Sequence, residues 1–189
     1  RAMRYQIMRR FNSMRENDMA LKILDEWIER QPDEVTLLRW KAQLLEEMGQ
    51  TADSIEELKE AIKLAPDNSQ LRLRLARAYA GVRDFASAEA ELQEMIKIDS
   101  GARLEGLAAL GEMFLGLGLN QQATATFNEL ERVARPRDPR VIFAMGRALS
   151  ALGQDDQARK RLEDVPNYAA QNAAAELIRA RIAERRSVT

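Results

Sequence analysis

The stretch LEEMGQTADSIEELKEAIKLAPDNS, Leu45 to Ser69, holds one helical pattern fenced on both sides. Between Ala52 and Leu64, apolar residues fall at Ile55, Leu58, Ala61, Ile62 and Leu64. That three-and-four spacing gives a helix one apolar face. Gly49 stands where a preceding helix must end, in the position past the last turn that favours glycine. Pro66 cannot continue a helix, and Asp67, Asn68 and Ser69 offer side-chain oxygens to cap the next one. The stretch predicts a turn, a helix of about three turns and a second turn.

The fencing recurs at a period of about 34 residues, the range of helical repeat arrays. Segments begun at Arg1, Val35, Ser69, Leu104 and Pro139 bring columns into line. A small column reads Met8, Ala42, Ala76, Gly111, Gly146, and three residues on a large one reads Phe11, Leu45, Tyr79, Phe114, Leu149. A second small column reads Ala20, Ser54, Ala88, Ala123, Ala158, followed by Leu24, Leu58, Leu92, Phe127, Leu162. The turn column reads Arg15, Gly49, Arg83, Gly118, Gly153. Small residues let the two helices of a hairpin approach closely, and the large columns are expected to fill the space beside them and toward the next segment. Lys41 interrupts an apolar column, with its stem expected to be buried and its amine in water.

Composition agrees. Pro and Gly are few, aromatics are 5%, and good helix formers dominate, so the chain reads as all-α. With no Cys and no His, thiolate or imidazole metal sites and nucleophilic triads built on either are excluded, and no cofactor or metal site is expected. Absence of Cys leaves the compartment open. A net charge of −1 argues against nucleic acid as a partner by bulk charge. No apolar run approaches the roughly 20 residues needed to cross a bilayer. Paired carboxylates such as Glu46-Glu47 and Asp155-Asp156 read as solvated helix faces, and no enzymatic activity is expected. Gly116-Leu117-Gly118 lacks the Lys-Ser/Thr of a phosphate loop.

These columns resemble the tetratricopeptide repeat, W-x2-L-G-x2-Y, then A-x3-F, then P. The fourth segment matches best, with Leu107, Leu110, Gly111, Phe114, Ala123 and Phe127, and with Pro136 one place late. The resemblance implies an α-solenoid of antiparallel helical hairpins wound into a right-handed superhelix. Five repeats are expected over residues 1–34, 35–68, 69–102, 104–137 and 139–167, then a terminal helix over 168–186. The whole would form a single domain. With nothing before Arg1 to shield Ile7 and Phe11, the chain is expected to be a piece of a longer protein or to form a homodimer through an end of the solenoid.

In proteins of this kind the first helix of each hairpin lines the concave side. Removing the packing columns leaves Tyr5, Arg9 and Asn12; Arg39, Gln43 and Glu46; Leu73, Arg77 and Ala80; Ala108, Glu112 and Leu115; Phe143, Arg147 and Ser150. The expected partner site is Tyr5, Arg9, Asn12, Arg39, Gln43, Leu73, Arg77, Glu112, Phe143 and Arg147. It is suited to a protein or peptide bearing carboxylates and apolar side chains. The Asn and Lys positions of the carboxylate clamp of some co-chaperones are not reproduced. If the arginines bind nothing, they are expected to pair with Glu46 and Glu112. The function expected is a protein–protein interaction scaffold. Alternatives are a structural module of a bacterial secretion or envelope-assembly protein and a peptide- or ligand-sensing regulator. The first segments, with ALKILDEWIERQPDE from Ala20 to Glu34, resemble tetratricopeptide lipoproteins of exopolysaccharide export systems, and that resemblance implies the bacterial periplasm or envelope over the cytoplasm.

Overall fold

The computed structural model describes residues 17–135 and 138–163, with Ala180 and Ala183 as isolated positions. The first helix expected before Asn17 lies outside the described residues, as does the terminal helix apart from those two positions. The chain is all-α, with nine helices and no strand among the described residues. They are α1 (Asn17–Arg30), α2 (Val35–Glu47), α3 (Thr51–Leu64), α4 (Ser69–Gly81) and α5 (Phe85–Ile96). They continue as α6 (Ser100–Gly116), α7 (Asn120–Val133), α8 (Pro139–Ala151) and α9 (Asp155–Glu163).

The turn column explains how each hairpin reverses. Gly49, Arg83, Gly118 and Gly153 have φ of 77°, 64°, 73° and 75°. A left-handed residue there lets the next N–H reach back five residues to an otherwise orphaned carbonyl. The bonds are Gln50 N–H to the Leu45 carbonyl at 2.8 Å, Asp84 to Tyr79 at 2.9 Å, Leu119 to Phe114 at 2.9 Å and Gln154 to Leu149 at 2.9 Å. The acceptors are the large column. Each residue that makes this bond then starts the second helix, its own carbonyl accepting from Ser54, Ala88, Ala123 or Ala158. Those four are at most 1% exposed, which is why the column holds only Ala and Ser. Between hairpins, the Asn68 side chain caps α4 by accepting from the N–H groups of Gln70 and Leu71, and Asp99 caps α6 by accepting from Ala102 at 2.8 Å.

The chain divides into two compact units after Met95. In the first, Leu38 and Ala42 of α2, Ile55, Leu58 and Ala61 of α3, and Leu71, Leu75 and Ala78 of α4 form one buried cluster. Ala20 and Leu24 of α1 pack with Leu37 and Leu44 of α2, edged by Trp27 and Trp40. Arg72 joins α4 to Glu91 of α5 at 2.9 Å.

Lys41 does not extend its amine into open water as expected. It bridges Asp25 of α1 at 2.9 Å and Glu57 of α3 at 2.7 Å, with its side chain 22% exposed. Burial works against the charge, but the hydrogen bonds and charges of Glu57 and Asp25 outweigh it and hold the ammonium above its ordinary pKa.

In the second unit α6 pairs with α7, and α8 with α9. The backbone at Gly111 lies against the ring of Phe127, and that at Gly146 against Leu162. The Leu/Phe column therefore packs beneath the small column of its own hairpin, where the sequence pointed it toward the next segment. Arg161 of α9 grips Glu131 of α7 with both nitrogens of its fork, one bond being 2.8 Å. The Asn120 amide donates to the Ala151 carbonyl at 3.1 Å, tying the start of α7 to the end of α8.

Candidate functional site

Arg39 and Gln43 lie one turn apart on α2, both exposed, and Arg77 is exposed on α4. Gln43 donates to Glu47 at 3.1 Å. Neither Arg39 nor Arg77 has a hydrogen-bond or ion-pair partner among the described residues. Glu46, the expected neutraliser, instead accepts from the buried Ser54 hydroxyl at 3.2 Å and faces Arg74 at 3.8 Å. Leu73 departs from expectation: it is 3% exposed and offers no surface to a partner. Tyr5, Arg9 and Asn12 lie outside the described residues.

In the second unit the expected site residues are brought together differently. Arg147 of α8 forms an ion pair with Glu112 of α6, both exposed, so the cation there is already matched. Phe143 is half-buried.

Beside this pair lies a cavity of about 460 Å³ among α6, α7 and α8. Its lining includes Leu104, Ala108 and Glu112, three successive turns of α6, with Phe127 and Leu130 from α7 and Val141 and Ala144 from α8. Ala108 and Ala144 leave the space open. Glu105, Glu112 and Asp138 are its ionisable lining groups, and no lining residue is a cation. Sequence reading placed Ala108 and Glu112 inward but missed the cavity. The signal was available in two Ala residues on consecutive first helices.

Among the described residues no group of His, Cys, Asp or Glu is arranged to hold a metal ion. No described helix is long and apolar enough to cross a membrane.

Sequence models of the tetratricopeptide repeat match residues 45–111 and 114–182, and a second such model matches 13–69. The chain belongs to the tetratricopeptide repeat family. Solved structures of this tetratricopeptide repeat (TPR) architecture superpose on it. A crystal structure of MamA protein covers 86% of this chain and 88% of its own, with TM-score 0.68 and 19% identity. MamA 41-end from Desulfovibrio magneticus RS-1 covers 95% of each chain, with TM-score 0.66 and 14% identity. YrrB, described as a TPR protein with an unusual peptide-binding site, covers 93% of this chain and 89% of its own, with TM-score 0.66 and 14% identity. At these identities the likeness is one of fold. No curated protein matches the chain, and the narrower resemblance to export lipoproteins gains no support from the comparisons.

Proposed function

We propose that this TPR chain is a non-catalytic interaction scaffold whose first-helix faces take up a peptide or partner protein. On the N-terminal unit, Arg39 and Arg77 meet carboxylates of that partner. The observation that carries the reading is that Arg39 and Arg77 have no partner among the described residues, where Arg72, Arg74, Arg103 and Arg147, also on first helices, are matched to glutamates. A guanidinium fork recognises a carboxylate through two parallel hydrogen bonds, which gives direction as well as attraction. Leu73 of the same unit is buried and takes no share in that contact. The peptide-binding description of YrrB, a protein of the same fold, supports the reading. The five repeats and terminal helix laid out from the sequence are the array we propose carries these faces.

The test is affinity capture from the source cell with the native chain and with Arg39→Glu/Arg77→Glu, its fold checked by circular dichroism. Charge reversal should weaken capture of acidic partners by about tenfold at physiological salt, since repulsion adds to the lost pairing. Capture that survives the double change would place the site on other surfaces.

A further inference from the structure

Ser54 breaks the pattern of its column. The equivalent residues Ala20, Ala88, Ala123 and Ala158 carry no polar atom, and all five positions are at most 1% exposed. A hydroxyl buried there costs stability unless it is hydrogen-bonded. The bond that Ser54 makes is not the local one. Thr124 and Thr126 of α7 donate to the carbonyl four residues earlier, the back-bond open to any helical hydroxyl. Ser54 donates instead eight residues back, across the hairpin, to the Glu46 carboxylate at 3.2 Å. We propose that Ser54 is a positioning residue for the arginine face: it anchors Glu46 and keeps that carboxylate off Arg77, which stays open to an acidic partner. This rests on the reading that Arg39 and Arg77 meet the carboxylates of a partner.

The place of Glu46 carries the inference. Arg39, Gln43 and Glu46 follow one another at spacings of four and three, so they share one face of α2. One Glu46 oxygen accepts from Ser54, and the other faces Arg74 of α4 at 3.8 Å. The carboxylate therefore lies within reach of α4. Arg77 stands three residues beyond Arg74, a neighbour on the same helix surface. A glutamate free to swing on its flexible stem has both cations to choose from. Anchored at Ser54, it stays near Arg74, and Arg77 keeps no partner among the described residues.

The sequence supports the pairing. The residues equivalent to Glu46 in the other segments are Asn12, Ala80, Leu115 and Ser150, none of them a carboxylate. The hydroxyl thus occurs in the one segment that has a carboxylate to hold. Without the anchor, Glu46 would compete with the partner for Arg77, and the face would lose affinity with no change in its own arginines.

The experiment titrates the full ¹⁵N-labelled chain with an acetylated and amidated Gly-Ser peptide bearing several glutamates, beside its all-glutamine counterpart. Ser54→Ala installs the residue that the other hairpins already bury, so the fold should persist, as circular dichroism can verify. It should weaken binding of the glutamate peptide by about threefold to fivefold, the size of one exposed ion pair. Ser54→Cys, which keeps the size with a weaker donor, should act in the same direction. In a Glu46→Gln background Ser54→Ala should have no effect, whereas a loss caused by altered packing would appear in both backgrounds. The Arg77 Nε–H resonance should shift on Ser54→Ala only where Glu46 is retained. Unchanged or tighter binding by Ser54→Ala, or an equal loss in both backgrounds, would overturn the inference and leave the reading of the arginine face standing. If the glutamate peptide binds no better than its glutamine counterpart, or binds Arg39→Glu/Arg77→Glu as tightly as the native chain, that reading fails and the inference fails with it.

Discussion

Gly111 cannot accept a methyl group while Phe127 keeps its place. A Cβ built there would lie 2.7 Å from both Cδ1 and Cζ of a ring that is fully buried. Gly146 holds the same column one hairpin later, but its Cβ would meet the Leu162 side chain at 3.0 and 3.2 Å. A leucine end can swing by a few tenths of an ångström, and a buried ring cannot. Gly111→Ala should therefore lower stability by about 1–2 kcal/mol, because overpacking outweighs the better helix propensity of Ala. Gly146→Ala should fall within about 0.5 kcal/mol of the native chain. Urea midpoints measure both, and Phe127→Leu should erase most of the Gly111→Ala penalty. The columns were legible in the sequence because close packing repeats them. Which large residue lies beneath which small one was not, because a column shows register without showing the neighbour across the hairpin. Leu73 shows the same limit. It entered the candidate site by subtraction from the packing columns, and subtraction cannot tell an open position from one covered by another element.

At the scale of the element, the left-handed turn closes every described hairpin with the same pair of hydrogen bonds, but only three of the four turns have glycine. Arg83, at φ 64°, carries a side chain where L-residues are strained. Arg83→Gly should stabilise the chain by about 0.5–1 kcal/mol, and Gly118→Ala should destabilise it by about 1 kcal/mol; thermal unfolding monitored at 222 nm compares them. The turn column was readable because glycine marks it. Lys41 was misread because its two partners lie one helix away in either direction, outside any local window. Its ammonium binds its proton more tightly in the folded chain than in the unfolded one. The stabilisation is thus complete below the ordinary pKa of 10.5 and is lost as pH rises through the higher folded value. Lys41→Met should cost about 1 kcal/mol at neutral pH. The gap to the native chain should narrow as denaturation is repeated above pH 10.5.

At the scale of the molecule, the family, the all-α class and the hairpin order were legible because each rests on periodicity. The cavity was not, because it needs small residues on two different hairpins to face one space. The spacing of the contacts has a further, kinetic consequence. Gly111 meets Phe127, Gly146 meets Leu162, and Lys41 reaches Asp25 on one side and Glu57 on the other. Every one of these pairs is sixteen residues apart in the chain. The entropy of closing a loop grows with its length, so each hairpin faces the same modest closure however many hairpins precede it. Such a chain has low contact order, and its folding speed is set by one hairpin and its neighbour. Lengthening the array with further hairpins would add stability without adding a longer search.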